Sequence, residues 1–414
     1  MPAHESSEGS AFARVLRQYR TELSLLSAVL AVVGLTILLD PSRAYLDKPV
    51  YNAQEILRQT SLLGILALGA AVVIIAGGID LSAGSVIAFS GTVCASLIFW
   101  LAPMAGRAPK TDSLAGWILP VAFAGTLLVA FLIGSLHTWL ITVVKLPPFV
   151  ATLASLVGLR SLGRVLIQDV TNAITGTRNT KIYIADKFFR DLGQVWWIPL
   201  AVFILLSLGT GVFLGRTITG RHLYAMGGNE TAARLSGIRT ERLKWLAYCF
   251  SSMTAAIAGI LFTSYVGAAN PESMGQGYEL NAIAAAVVGG CSLQGGIGTV
   301  SGVMLGALFL RTVIDSVAKT MKQNPDEFQG LIVGVLVVLA VALNEFRGQR
   351  GVRRQLLPGG LGAVTWLNLT VLAGVIVSVS RSTNKLISGI VAAAVVGLLL
   401  AGLALWQRSG TRQP

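Results

Sequence analysis

The sequence predicts an all-α polytopic membrane protein, on three observations. Apolar stretches of about 18 residues or more, each long enough to cross a hydrocarbon core of about 30 Å as a helix, recur along almost the whole length. Of the 414 residues 54% are hydrophobic and only 12% charged, with a mean hydropathy of +0.71, whereas a soluble domain carries roughly 25% charged residues. No sizeable soluble domain fits between the apolar stretches.

In chain order, spanning segments are expected at 22–40, 61–79, 81–102, 115–144, 149–168, 195–215, 243–267, 279–290, 297–318 and 326–345, with two more at 361–380 and 386–407. The 279–290 segment is too short to span alone, so it is expected as a half-helix or as one continued into flanking turns. The first segment follows a polar, acidic stretch, MPAHESSEGS, and then Arg14, Arg17 and Arg20. Its length makes it a retained anchor and not a cleaved signal peptide. The expected divisions are a tail at 1–21, a membrane core at 22–345, a basic linker at 346–360, two additional helices at 361–407 and a tail at 408–414.

The net charge of +13 does not point to nucleic acid, because Lys and Arg fall mainly in short loops and tails, where they orient a membrane protein. Basic stretches precede the first helix, follow the sixth (Arg216 to Lys244) and follow the tenth (Arg347 to Arg354). An even number of crossings separates them, so all three are expected on the cytoplasmic side, as is the tail around Arg408 and Arg412. Segments 41–60, 169–194 and 266–278 would then face outward.

The stretch VVIIAGGIDLSAG at 72–84 lines up without gaps on AAAVVGGCSLQGG at 284–296, so the chain reads as internally duplicated. In both copies an apolar helix meets Gly-Gly, then a polar residue (Asp80 or Ser292), then Leu, then a glycine before a new helix. Glycine removes the Cβ penalty in a sharp break, and Asp or Ser can cap the next helix by accepting backbone N–H bonds. Broken helices at matching places in two halves point to a transport pathway, whether the halves run parallel or inverted.

Asp80 reads either as an N-cap for a helix starting at Leu81 or as a pathway group, two roles that are compatible. An ionised carboxylate in hydrocarbon costs about 2.5–3.5 kcal/mol, so its site must be wet, paired or capped. Arg160 is a conceivable partner, although Arg160 and Arg164 can instead snorkel or pair elsewhere. Glu279 and Asn281 open the second broken segment, either facing a substrate or capping at the outer interface. Arg311 and Asp315, four apart, are expected to pair on one helix face. His137 is expected to make an interhelical hydrogen bond, and the glycines within helices to permit close packing. Cys94, Cys249 and Cys291 lie far apart without metal-ligand spacing and are expected as buried thiols, with no metal site. No GxxxxGKS or GxxxxGKT loop, HExxH, CxxC or GxSxG elbow occurs, so no catalytic residue and no ATP hydrolysis is expected of this chain.

The loop GRTITGRHLYAMGGNETAARLSGIRTERLKW at 215–245 is long, basic and expected on the cytoplasmic side. Asn229 or Thr231 can cap a short helix through Leu235 that Gly237 would close. Such an element either docks a partner or is a solvated loop whose charges set topology.

The segments AGGIDLSAGSVIAFSG (76–91), LPPFVATLASLVGLRSLGRVL (146–166), GRHLYAMGGNETAARLSGI (220–238) and GYELNAIAAAVVGGCSLQGGIGTVSGVMLGAL (277–308) resemble, in order and spacing, the permease subunits of bacterial ABC importers for ribose, xylose, arabinose and galactose. The resemblance covers about 20–345. It implies a ten-helix permease working in two copies, a periplasmic sugar-binding protein at the outer face and a cytoplasmic ATPase with two nucleotide-binding domains at the inner face. It also implies that Gly227, Gly228, Asn229, Glu230, Ala233 and Arg234 belong to the ATPase coupling region, and that Asp80, Leu81, Ser82, Gly84 and Ser85 lie beside the pathway. Three positions depart from the family pattern: Asn281 replaces an aspartate, Ser161 follows Arg160 where glycine is usual, and His137 stands where Asn-Gly is usual. The two helices after 350 exceed the ten-helix pattern.

The expected function is that of a permease subunit in the bacterial inner membrane, both termini cytoplasmic, passing a pentose or hexose. Asp80, Ser82, Glu279, Asn281 and, by the repeat, Ser292 are the hydrogen-bonding candidates for a hydroxyl-rich ligand. The chain is expected to hold no cofactor of its own, ATP and Mg being used by the partner ATPase. The second copy is the same chain or a close paralogue. Two alternatives stand beside this reading: a proton-coupled secondary transporter acting through Asp80, and the same ABC machinery with a nucleoside, polyol or signalling furanose as cargo.

Overall fold

The apolar runs become helices, and several of these start or stop at proline, glycine or a capping side chain. The computed structural model describes residues 20–106, 108–321, 325–348, 359–380 and 385–409. Arg14, Arg17, the linker after 348 and the last five residues lie outside the described residues. The helices are α1 (Arg20–Leu39), α2 (Ala44–Asp47), α3 (Pro49–Ile75), α4 (Ala83–Leu101), α5 (Ile118–Thr142), α6 (Pro148–Thr175), α7 (Lys187–Gln194) and α8 (Trp197–Arg216). They continue with α9 (Ile218–Gly228), α10 (Glu230–Leu235), α11 (Thr240–Val266), α12 (Tyr278–Val288), α13 (Val300–Thr320), α14 (Pro325–Gly348), α15 (Gly359–Ser380) and α16 (Lys385–Ser409). Pro49 and Pro148 occupy the first turns of α3 and α6, where proline's missing N–H costs nothing. Among the described residues eight helices are long and apolar enough to cross a membrane.

Two features of the loops expected to face outward were not foreseen. Two-residue strands pair antiparallel, β1 (Met104–Ala105) with β2 (Ala108–Pro109) and β3 (Ile182–Tyr183) with β4 (Ala268–Ala269). The polar segment around 190 forms the amphipathic α7, N-capped by Asp186, whose carboxylate accepts from Phe189 N at 2.8 Å, with Phe189 buried beneath.

The chain divides into two compact units, Met1–Glu345 and Phe346–Pro414. In the first, α3 is the central helix: 94% of its most apolar window is buried, against 22% for α6. Leu62, Ile65, Leu66 and Ile74 of α3, Val86 and Ile87 of α4 and Ala255 of α11 share one core. Because lipid is as apolar as leucine, close backbone approach holds such helices together. Gly134 of α5 lies where a Cβ would come within 2.5 Å of Cys249 Cα, and Gly259 of α11 where it would come within 2.6 Å of the Ile87 carbonyl oxygen, as the close-packing expectation requires. In the second unit α15 and α16 form a hairpin, tied by the Trp366 indole donating to the Gly397 carbonyl at 2.8 Å.

Candidate functional site

The two helix breaks close in the same way. Ala76 N, Gly77 N and Gly78 N donate to Val72 O, Ile74 O and Val73 O; Gly289 N, Gly290 N and Cys291 N donate to Ala285 O, Val287 O and Ala286 O. The residue with positive φ, which a side chain would strain, is Gly77 (82°) in the first break and Gly290 (97°) in the second. The ungapped alignment is therefore wrong by one residue: the first glycine of one pair matches the second of the other. Ser292 does not hold the position of Asp80 and caps no helix. Its backbone N–H donates to Ile297 O, and its hydroxyl accepts from Gln294 N at 3.3 Å. The helix after the second break is capped by Thr299, whose side chain accepts from Gly302 N at 3.1 Å. Gly296 N donates to Ile75 O at 2.9 Å, so both breaks lie at one end of the unit and the two copies run in the same direction.

Asp80 is buried, and its needs are met locally. One oxygen accepts from Ser82 N at 2.9 Å and from the Ser82 hydroxyl at 2.6 Å; the other accepts from the Ser251 hydroxyl of α11 at 2.7 Å. This corrects two expectations. The helix starts at Ala83, so Asp80 makes a turn ahead of the helix and not its N-cap. Nor does Arg160 answer the carboxylate, because its guanidinium donates to the Pro271, Glu272 and Met274 carbonyls at 3.1, 3.2 and 2.9 Å. Ser85 donates to Ser82 O at 2.7 Å. His137 is buried and pairs through Nε2 with the Ser155 hydroxyl of α6 at 2.8 Å, as an interhelical bond should.

The Arg160 bonds fasten a re-entrant loop. Segment 270–277 does not stay outside the helices: Met274 and Gly275 are buried, and a Cβ on Gly275 would come within 2.4 Å of the carbonyl oxygen of Gly84. Non-helical backbone at such depth is tolerated where protein encloses it. The loop delivers the short α12 to the start of α4, with Glu279 buried against Gly84, where the absence of a side chain leaves the carboxylate its place. The structure thus brings Gly84 of the first copy onto Glu279 of the second. Glu279 Oε2 has no hydrogen-bond partner, and Asn281 is half-buried two residues on.

The basic loop folds into two helices at the end that carries both breaks. Thr217 caps α9 by accepting from Gly220 N at 2.9 Å, and Asn229 caps α10 by accepting from Ala232 N at 2.9 Å. Gly237 N and Ile238 N close α10 on Arg234 O and Ala233 O. Ala233 is buried, while Glu230 bridges to Lys244 of α11 at 2.7 Å and to Arg234 at 3.2 Å. Partial burial pushes the Glu230 carboxyl up, but the hydrogen bond and charge of Lys244, with Arg234 beside it, outweigh this and hold it below the usual carboxylate range. Leu235 is 85% exposed at the end of this polar element.

Asp315 pairs with Lys319, and accepts from the Tyr45 hydroxyl at 2.7 Å, in place of the Arg311 expected on the other side. The three cysteines are free and buried. Ser251, Tyr248, Leu235 and the Gly295-Gly296 pair were missed as site residues. Leu235 carried a sequence signal, as a large apolar residue at the end of a polar helix, and Gly295-Gly296 did so as the double glycine that ends the second repeat. Ser251 and Tyr248, whose hydroxyl donates to Ile79 O at 3.4 Å, are ordinary residues of an apolar run until the fold sets them beside the break.

Comparisons with known proteins show the family of the chain. Residues 52–341 match the family described as branched-chain amino acid transport system / permease component. The chain is 30% identical to the xylose transport system permease protein XylH of Escherichia coli over 391 residues, covering 81% of this chain and 94% of the relative. It is 32% identical to the ribose import permease protein RbsC of Haemophilus influenzae, covering 78% and 93%. No solved structure matches. With most of its length matched and eight helices among the described residues long and apolar enough to cross a membrane, the chain belongs to this family of permease components and is a multi-pass inner-membrane transport subunit.

Proposed function

We propose that two copies of the chain form a low-affinity passage for a monosaccharide, received from a periplasmic binding protein and driven by a cytoplasmic ATPase with two nucleotide-binding domains. The observation that carries this reading is the α9–α10 pair. It is capped at both starts, pinned by Glu230 to Lys244, and presents Leu235 and Arg234 outward at the end where both helix breaks lie. That end is the cytoplasmic one by the distribution of Arg and Lys, which puts both termini in the cytoplasm. ATP and Mg belong to the partner, and the chain supplies the passage and the docking element. Although the family is described by amino acid transport, the relatives that align over nearly their whole length are named for xylose and ribose. Glu279, with an oxygen free of protein partners, and the half-buried Asn281 suit a hydroxyl-rich cargo that must be held weakly and released.

The test is reconstitution in vesicles with the copurifying ATPase and binding protein, the latter screened by thermal shift, where a bound sugar raises the melting temperature. Uptake of a labelled pentose or hexose that requires ATP is expected. Uptake by this chain alone, driven by a pH gradient without ATP, would sink the proposal.

A further inference from the structure

Where α9 meets the membrane core, three stretches of chain cross with no side chain between them. The Gly296 N–H bond to Ile75 O joins the second break to the first at 2.9 Å. Gly227 lies on that bond: a Cβ there would overlap the Ile75 carbonyl oxygen and come within 2.6 Å of Gly296 N. A Cβ on Gly295 would come within 2.5 Å of Gly227 O and 2.9 Å of Gly77 Cα, and one on Gly296 within 2.8 Å of Gly228 N. The Tyr224 hydroxyl closes the crossing by donating to Gly298 O at 2.8 Å. Contacts through long side chains absorb small displacements by changing rotamer, whereas backbone against backbone has no such slack.

We propose that Gly77, Gly227, Gly228, Gly295 and Gly296 form a rigid joint, so that the α9–α10 pair and both helix breaks move as one body during transport. Gly227 is its positioning residue. This rests on the ABC reading of the chain and adds to it how one docking element reaches both copies of the repeat. A displacement of α9 imposed by an ATPase cannot act on one break alone: the cytoplasmic ends of α3 and α12 shift together.

The test uses the full complex of permease, ATPase and binding protein. Spin labels on Ala225→Cys in α9 and Leu293→Cys in the second break, both exposed positions, report their separation, while the three native cysteines are buried. Between the nucleotide-free and vanadate-trapped states the separation is expected to hold within about 2 Å, the scale of helix shifts at interfaces; a larger change overturns the joint. Gly227→Ala is expected to lower the sugar moved per ATP hydrolysed by about ten-fold or more, the order of coupling between sites. Gly209→Ala, whose Cβ would meet open space in α8, should keep the wild-type ratio. A wild-type ratio in Gly227→Ala also overturns the joint. Should that variant fail to insert, the separation measured with Gly227 intact decides. Absence of ATP-driven uptake in the unsubstituted complex sinks the functional reading instead, so the two failures are told apart.

Discussion

Asp80 shows how a carboxylate is kept at membrane depth without a counter-ion: three donors, two from Ser82 and one from Ser251, surround its oxygens. Hydrogen bonds to a charged group contribute about 1.5–3 kcal/mol. Ser251→Ala should therefore lower the unfolding free energy by roughly that amount, read from an SDS titration of the purified chain, and an unchanged midpoint would show that Ser82 suffices alone. That an acid sat in a glycine-rich break was legible in the sequence; its partner was not, because Ser251 is 171 residues away and carries no charge to advertise itself. Asp315 makes the same point. Arg311 and Lys319 are each four residues from it, and only the fold, which sets Tyr45 beside Asp315, selects Lys319.

At the scale of elements, α10 was readable from Asn229, Leu235 and Gly237, since capping is local chemistry. Its attachment shows in a pH response. Because the Glu230 carboxyl is held low in the folded protein, the contribution of the Glu230–Lys244 bridge is complete above the unfolded value of about 4.3 and is lost as the pH falls through the lower folded value. Protease protection of α10 should be constant from neutral pH down to that range and fall below it, while Glu230→Gln should be less protected throughout; identical profiles would detach α10 from Lys244. The half-helix α12 was also readable, from its length. The register of the two breaks was not, since Gly-Gly looks the same whichever glycine turns left-handed.

For the whole molecule, hydropathy marked most spanning helices within a few residues, because the bilayer sets a minimum length; it missed the polar first turns of α3, which starts at Pro49 and not at 61, and the last two turns of α6, which runs to Thr175 and not to 168. The paths of two loops escaped it: the re-entrant stretch held by Arg160 and the paired strands β3 and β4 depend on distant backbone. The α15–α16 hairpin lies beyond the family match, which ends at residue 341, and in a unit of its own. Removing everything after Gly348 should leave ATP-driven uptake in vesicles intact. Normal insertion with lost uptake would assign the hairpin to the transport machinery.

The two breaks share one hydrogen-bond pattern, and the chain beyond each takes its own course. After the first, six residues (77–82) lead to Ala83 and turn an acid inward to Ser251; after the second, ten (290–299) lead to Val300 and lay a bare shelf of glycine beneath α9. One break thus keeps an acid inside the protein, and the other offers bare backbone to α9. An engineer who made the halves identical would lose one of the two arrangements.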